Sequence, residues 1–317
     1  MPTIPYTAVN FDPVVFPNLQ ASGTLIFTWA RLVWAAITVG KAQEHQALYG
    51  IYSAYERNMR TALLYSSLME SPSGQIVKAP SYEALDPSEK TAVSFYVGMT
   101  LVRLFSYSLF NVDWLLHLDL YKDAVQAQIQ GRSRPDFLGL NGNGQWLVFE
   151  SKGRSDYVNG QAMVDLMEKA KGQSSLLLNI SGANPLASFG AVSHFMSDGV
   201  LRIDMDDPPA DKTNEHTFEV TVSPDQFRTD YYKPFTNRKG SRVKAVGDRR
   251  VRTTNMGDLD VTIGMDESVF TTHGTVRRGH RIQRESGREF LGRDGVYVSL
   301  GDNWSEENMK KPPAARE

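Results

Sequence analysis

The chain has 317 residues and not one cysteine. That excludes disulfides, thiolate zinc sites and cysteine nucleophiles, and it fits a reducing, cytoplasmic setting. A long uninterrupted apolar run is also missing. The nearest approach, residues 24–39, is shorter than the ~20 residues a membrane helix needs and carries Arg31 at its centre, so it is expected to be a buried helix. Pro2, Pro5, Pro13 and Pro17 interrupt the first residues, which have no basic stretch, so no secretory signal is expected there. Net charge is nearly absent too, at −2, and says little about partners until its distribution is considered. What the chain does have is a 41% hydrophobic and 10% aromatic composition, enough for a substantial core in one large domain or two modest ones.

One stretch is more informative than the rest. Arg134-Pro135-Asp136-Phe137-Leu138-Gly139-Leu140 and Gln145-Trp146-Leu147-Val148-Phe149-Glu150-Ser151-Lys152-Gly153 flank the turn-forming Asn141-Gly142-Asn143-Gly144, which predicts a β-hairpin. Strand alternation puts Trp146, Val148, Glu150 and Lys152 on one face and Leu147, Phe149 and Ser151 on the other. An otherwise apolar strand thus ends in a carboxylate and an ammonium, groups that are costly to bury unless paired, metal-bound or reactive. A two-residue loop would set Asp136 opposite Phe149. A three-residue loop with Gly144 left-handed sets it opposite Glu150, and that register is the one expected.

Pro135-Asp136, a spacer and Glu150-Ser151-Lys152, on two strands joined by a tight turn, resemble the signature of the PD-(D/E)xK nuclease superfamily. The resemblance implies an α/β fold with a restriction-endonuclease-like core, a mixed central sheet flanked by helices, here with an N-terminal helical region. It implies catalytic Asp136, Glu150 and Lys152, and a Mg²⁺ or Mn²⁺ ion held by Asp136, Glu150 and the Ser151 carbonyl. It further implies a polar residue near the substrate phosphate on the following helix, for which Lys169 and Gln173 are the candidates. The activity expected is metal-dependent hydrolysis of phosphodiester bonds, of DNA first, in restriction or anti-phage defence. The alternative is a nucleic-acid-binding or scaffold protein on a nuclease fold without turnover. A homodimer would suit cutting of both strands, and an activating protein is a further expected partner; no membrane is expected.

The expected organisation is a helical region over residues 1–85, the nuclease core over 86–232 and a basic extension of short strands and loops over 233–317. Residues 21–69 have helical periodicity, and the proline-bearing 70–87 is expected to be a loop. Asp86-Pro87-Ser88-Glu89 opens a buried helix through Tyr107 or Ser108, whose only acidic residue is Glu89, at its start. Residues 124–129 are expected to be the strand before the hairpin, and His117 a satisfied core histidine. A helix over 161–173 and strands over 186–196 and 199–205 follow. Asp204, Asp206 and Asp207 then read as a solvated strand end, with a second metal site as the alternative. Residues 218–222 are expected to be a strand, and Ser223-Pro224-Asp225 to open another helix.

Charge concentrates near the C-terminus. Lys233, Arg238, Lys239, Arg242, Lys244, Arg249, Arg250 and Arg252 face only Asp248 in their window, a net +7 that leaves −9 for the rest of the chain. Arg277, Arg278, Arg281, Arg284, Arg288 and Arg293 form a second group with His280. Such concentration suits a surface that displaces counterions from a polyanion, so Arg238, Lys239, Arg242, Lys244, Arg249, Arg250 and Arg252 are the expected nucleic-acid contacts.

Overall fold

A computed structural model describes residues 1–39, 51–127, 133–207, 217–233, 242–269 and 283–310. Strands β1 (Thr3–Val9) and β2 (Ser22–Ile26) come first, paired antiparallel from Thr3 opposite Ile26 to Thr7 opposite Ser22. Helical periodicity around residue 21 was therefore misleading. Extended β1 offers Ser22–Ile26 a ladder, and this pairing outweighs local preference. Helix α1 (Trp29–Thr38) begins after Thr28, whose hydroxyl accepts from the Arg31 amide at 3.1 Å, and all ten of its residues are buried. Helix α2 (Ile51–Ser67) leads into the small hairpin β3 (Leu68–Glu70) and β4 (Ile76–Lys78), then the single turn α3 (Pro80–Glu83). The expected loop over 70–87 is thus partly structured, anchored by buried Ile76 and Tyr82.

Helix α4 (Pro87–Phe110) has the N-terminus its sequence announces. Asp86 accepts from the Ser88 and Glu89 amides at 2.7 and 3.3 Å, and Glu89 reaches back to the Asp86 amide at 3.2 Å. It is long and apolar enough to cross a membrane, but 78% of its most apolar window is buried inside the fold. Asn111, left-handed at φ 55°, ends it. Strand β5 (Val112–His117) starts at the very next residue, so the strand before the hairpin comes from the apolar 112–117 run. Residues 124–127 form no strand, and 128 and 129 lie outside the described residues.

The single turn α5 (Leu118–Tyr121) precedes the hairpin of β6 (Phe137–Asn141) and β7 (Trp146–Gly153). Helix α6 (Gly160–Ser174), strands β8 (Leu177–Ile180), β9 (Ala187–Phe195), β10 (Leu201–Asp206) and β11 (Phe218–Val220), and helix α7 (Pro224–Tyr232) follow. The central sheet has the order β2-β1-β10-β9-β7-β6-β5. Strands β5, β6 and β7 form an antiparallel meander, and β9 lies parallel to β7 after the α6 crossover. Strand β11 pairs with β8 in a separate ribbon.

Helices α4 and α6 cover opposite faces of this sheet. Gly98 of α4 lies so close to β7 and β9 that an added Cβ would fall 3.2 Å from Ser151 Oγ and 3.0 Å from Ser193 Oγ, while one on Gly153 would collide with the Ser94 carbonyl. On the other face, a Cβ on Gly190 would fall 2.7 Å from the Ala170 Cβ of α6. Glycines at these crossings let the helices approach β7, which ends in the Glu-Ser-Lys run, and its neighbour β9.

The C-terminal part is a second sheet. Strands β12 (Arg242–Val246), β13 (Arg249–Asn255), β14 (Val261–Asp266), β15 (Arg284–Ser286), β16 (Glu289–Leu291) and β17 (Val296–Leu300) order as β12-β13-β14-β17-β16-β15, all antiparallel, before the short helix α8 (Glu306–Lys310). Its β16 and β17 pack on α1, and α1 packs on α4. The main apolar core runs without a break from Ile4 to Met309.

Candidate active site

The hairpin register is set by its turn. Asn141 pairs with Gln145, its amide donating to the Gln145 carbonyl at 2.9 Å, and Gly144 sits at φ 83° with its amide on the Asn141 carbonyl at 3.0 Å. The Asn141 side chain accepts from the Asn143 and Gln145 amides at 2.9 Å each. This is the odd-numbered loop. From it Phe137 lies opposite Phe149, and the next position sets Asp136 beside Glu150.

Backbone and side chain interlock there. The Asp136 amide donates to Glu150 Oε2 at 2.9 Å, and the Ser151 amide donates to Asp136 Oδ2 at 3.0 Å. Within a strand, the N–H and C=O of one residue point to the same side, so the Ser151 carbonyl also faces Asp136. Lys152 Nζ forms an ion pair with Glu150 Oε1 and donates to Gln173 Oε1 at 2.6 Å. Gln173 in turn donates to the Arg134 carbonyl at 3.2 Å, tying α6 to the residue two before Asp136. Asp136, Glu150, Ser151, Lys152 and Gln173 therefore form one cluster. Lys169 is exposed on α6 and outside it, because Gln173, one turn further on, is the residue that faces β7.

The electrostatics of the cluster are those of two carboxylates with too little compensation. Glu150 is 1% exposed. Burial, then the neighbouring Asp136 charge, push its carboxyl up to about 7, against the pull of Lys152. Asp136 is also raised, by burial first, despite the Ser151 amide and the His117 and Lys152 charges. A divalent cation fits such a pair, since it would supply the missing positive charge through oxygen ligands. Among the described residues, no three His, Asp or Glu side chains converge to hold a metal. A cation here would be held by Asp136, Glu150 and the Ser151 carbonyl, with water or substrate completing its shell. Glu89 is not a third acid, being engaged in the α4 cap and exposed.

His117 was expected to be a satisfied core histidine. Its ring packs edge-on against Phe137 at 5.2 Å, and among the described residues its buried Nδ1 has no partner. Burial holds its pKa below the usual value, against the opposing charges of Asp136 and Asp119. The sequence signal was available in its position at the end of β5, beside the start of β6. Asp204 and Asp206 likewise do not form a solvated strand end. Asp204 accepts from His194 and Arg202 at 2.9 Å each, and from Thr7, while Asp206 pairs with Lys171 at 3.2 Å. Burial raises Asp207 to about 7.

The basic residues occupy other ground. Arg242 and Lys244 lie on β12 and Arg249, Arg250 and Arg252 on β13. Lys244 binds Glu289 at 2.6 Å, Arg249 lies 3.5 Å from Asp266, and Arg250 and Arg252 share Glu267 at 3.1 and 2.6 Å. The window's +7 is therefore partly neutralised by acids from elsewhere in the same sheet. That sheet lies beyond α1 and α4, whereas Glu150 and Lys152 point to the α6 face. Arg238, Lys239, Arg277, Arg278, His280 and Arg281 lie outside the described residues.

No family model, curated protein or solved structure matches this sequence.

Proposed function

We propose that the chain is a metal-dependent nuclease of the PD-(D/E)xK kind, with DNA as its first candidate substrate. The observation that carries this reading is the juxtaposition of Asp136 and Glu150 across one register position, with Lys152 Nζ on Glu150 and on Gln173. The chain order α4, β5, β6, β7, α6, β8, β9, with β9 parallel to β7 in one mixed central sheet, supports this reading.

Phosphodiester hydrolysis needs an activated water and somewhere for the charge that builds on phosphate oxygens. A bound divalent cation supplies Lewis acidity for both needs. Asp136 and Glu150, held in place by the Ser151 and Asp136 amides, would hold that cation. Lys152 is placed to orient the attacking water and to donate to the phosphate, and Gln173 fixes the direction of its ammonium. Burial of the cluster strengthens each of these interactions.

The test is cleavage of supercoiled plasmid, linear duplex, single-stranded DNA and RNA with Mg²⁺ or Mn²⁺, by wild type and Asp136→Ala in parallel. Cleavage by the wild type alone is expected. Equal cleavage by both, or salt-sensitive binding without cleavage by either, would count against it, the latter in favour of a binding protein on the same fold.

A further inference from the structure

The α6 face of the central sheet holds a second feature. A cleft of about 470 Å³ opens between α6 and strands β1, β9 and β10. Its floor is built from residues that alternate toward α6. His194 Nε2 lies 2.9 Å from Asp204 Oδ2, Arg202 Nε donates to Asp204 Oδ1 at 2.9 Å, and the Thr7 hydroxyl also donates to Asp204. Met163 and Met167 of α6 and Met196 beyond β9 form apolar walls. Tyr157 stands at the lip, half exposed, its ring centre 6.0 Å from that of His194 and inclined by 32°.

Among the described residues, two hydrogen-bonding functions at this cleft are unmet. His194 is 2% exposed, and its Nδ1 has no partner among them. Asn159, which lines the cleft at the N-cap of α6, makes no side-chain cap bond, and the first turn of the helix has no acidic residue. The first amides of a 15-residue helix are thus left for an anion. Polarisable methionine walls with an aromatic lip suit a flat ring. A buried imidazole nitrogen suits a ring that carries hydrogen-bonding edges. One ligand class joins a flat heterocycle to a phosphate: a nucleotide.

The cleft also lies where a substrate strand would run. Lys152 is in register with Val192, and Val192 with Asp204, so the cleft floor is two strands from Lys152 on the same face, about 10 Å away. We propose that the cleft binds a nucleotide unit of the nucleic-acid substrate, with the base between the methionines and Tyr157 against His194, and its phosphate at the N-terminus of α6. The nuclease reading of the neighbouring cluster supplies the strand; the cleft itself supplies the ligand chemistry.

The test is calorimetric titration of the full chain, wild type and Glu150→Gln, with each nucleoside 5′-monophosphate of DNA and RNA and with inorganic phosphate. At least one nucleotide is expected to bind both proteins alike and more tightly than inorganic phosphate. Tyr157→Ala, a surface change that leaves the core intact, should weaken it about tenfold, and Asp204→Asn should weaken it as well. Absence of nucleotide binding alongside metal-dependent plasmid cleavage would remove the cleft and leave the nuclease standing. Nucleotide binding with the expected variant effects but no cleavage would support the cleft and count against the nuclease. Inorganic phosphate binding as tightly as nucleotides, or indifference to Tyr157→Ala, would overturn the proposal.

Discussion

Glu150 lies at the end of a buried strand with Lys152 as its cationic hydrogen-bond partner and Asp136 beside it. Its carboxyl, raised from 4.5 to about 7, keeps a proton in the folded protein that the unfolded chain releases at lower pH. Between those values the folded state binds more protons, so this group's contribution to stability falls as pH rises from about 4.5 to 7 and is flat above. Glu150→Gln removes the penalty. In chelator, urea unfolding should find this variant more stable than wild type at pH 8, by of order 2 kcal/mol, and little changed at pH 5. An unchanged difference between the two pH values would mean that burial of this charge is not what strains the site. Lys152 separates binding from turnover. Lys152→Ala removes the water-orienting ammonium but neither carboxylate, so calorimetry should show metal affinity retained while cleavage falls by about a hundredfold or more. Asp136→Ala should lose both.

Helix α4 meets the Glu-Ser-Lys strand at Gly153 and α6 meets β9 at Gly190, so a glycine at a crossing and one away from any crossing should respond oppositely to alanine. Gly153→Ala drives a methyl into the Ser94 carbonyl of α4 and should cost about 1–3 kcal/mol. Gly172→Ala, inside α6 where nothing lies within 4 Å, should gain about 0.5–1 kcal/mol from helix propensity. Urea melts of the pair check both signs, and a stabilising Gly153→Ala would mean the helix does not sit so close. Elements dictated by local chemistry were legible in the sequence. The Asp86 capping box fixed the start of α4, and the Asn-Gly-Asn-Gly turn fixed the register that brings Asp136 to Glu150. What needed distant partners was not. Strand β2 exists because β1 offers it a ladder. Strand β5 begins at Val112 because Asn111 turns the chain out of α4, not where the next polar-apolar run suggested. The +7 window is diluted by Asp266 and Glu289, which pairing in the β-sheet brings to it from other strands, and by Glu267 in the turn that follows β14. His194 and Asp204 belong to strands whose register no local pattern specifies.

At the scale of the whole molecule, the C-terminal sheet is welded to the rest by a buried polar junction. Arg103 of α4, fully buried, donates to the Val112 and Asp113 carbonyls at 3.0 and 2.8 Å and lies 3.5 Å from Asp294, itself fully buried in the turn before β17. Trp34 of α1 donates to the same carboxylate at 3.2 Å, Tyr232 of α7 to its backbone carbonyl at 2.6 Å, and Arg293 reaches Asp113 at 2.7 Å. Burial raises Asp294 to about 6 even with Arg103 opposing it, so removal of that arginine leaves a carboxylate that can be buried only by keeping its proton. Arg103→Met should therefore cost about 3–5 kcal/mol at pH 8, and less at pH 5, where protonation of Asp294 is easier. Adding Asp294→Asn to Arg103→Met should recover part of the loss at pH 8, because the unpaired charge is gone although its hydrogen bonds are not fully replaced. Since the apolar core is continuous across the junction, tryptophan fluorescence and far-ultraviolet circular dichroism should report one coincident unfolding transition in the wild type. Two separated transitions, with Arg103→Met shifting only one, would show that the sheet folds as an independent unit and that the junction merely rests against it.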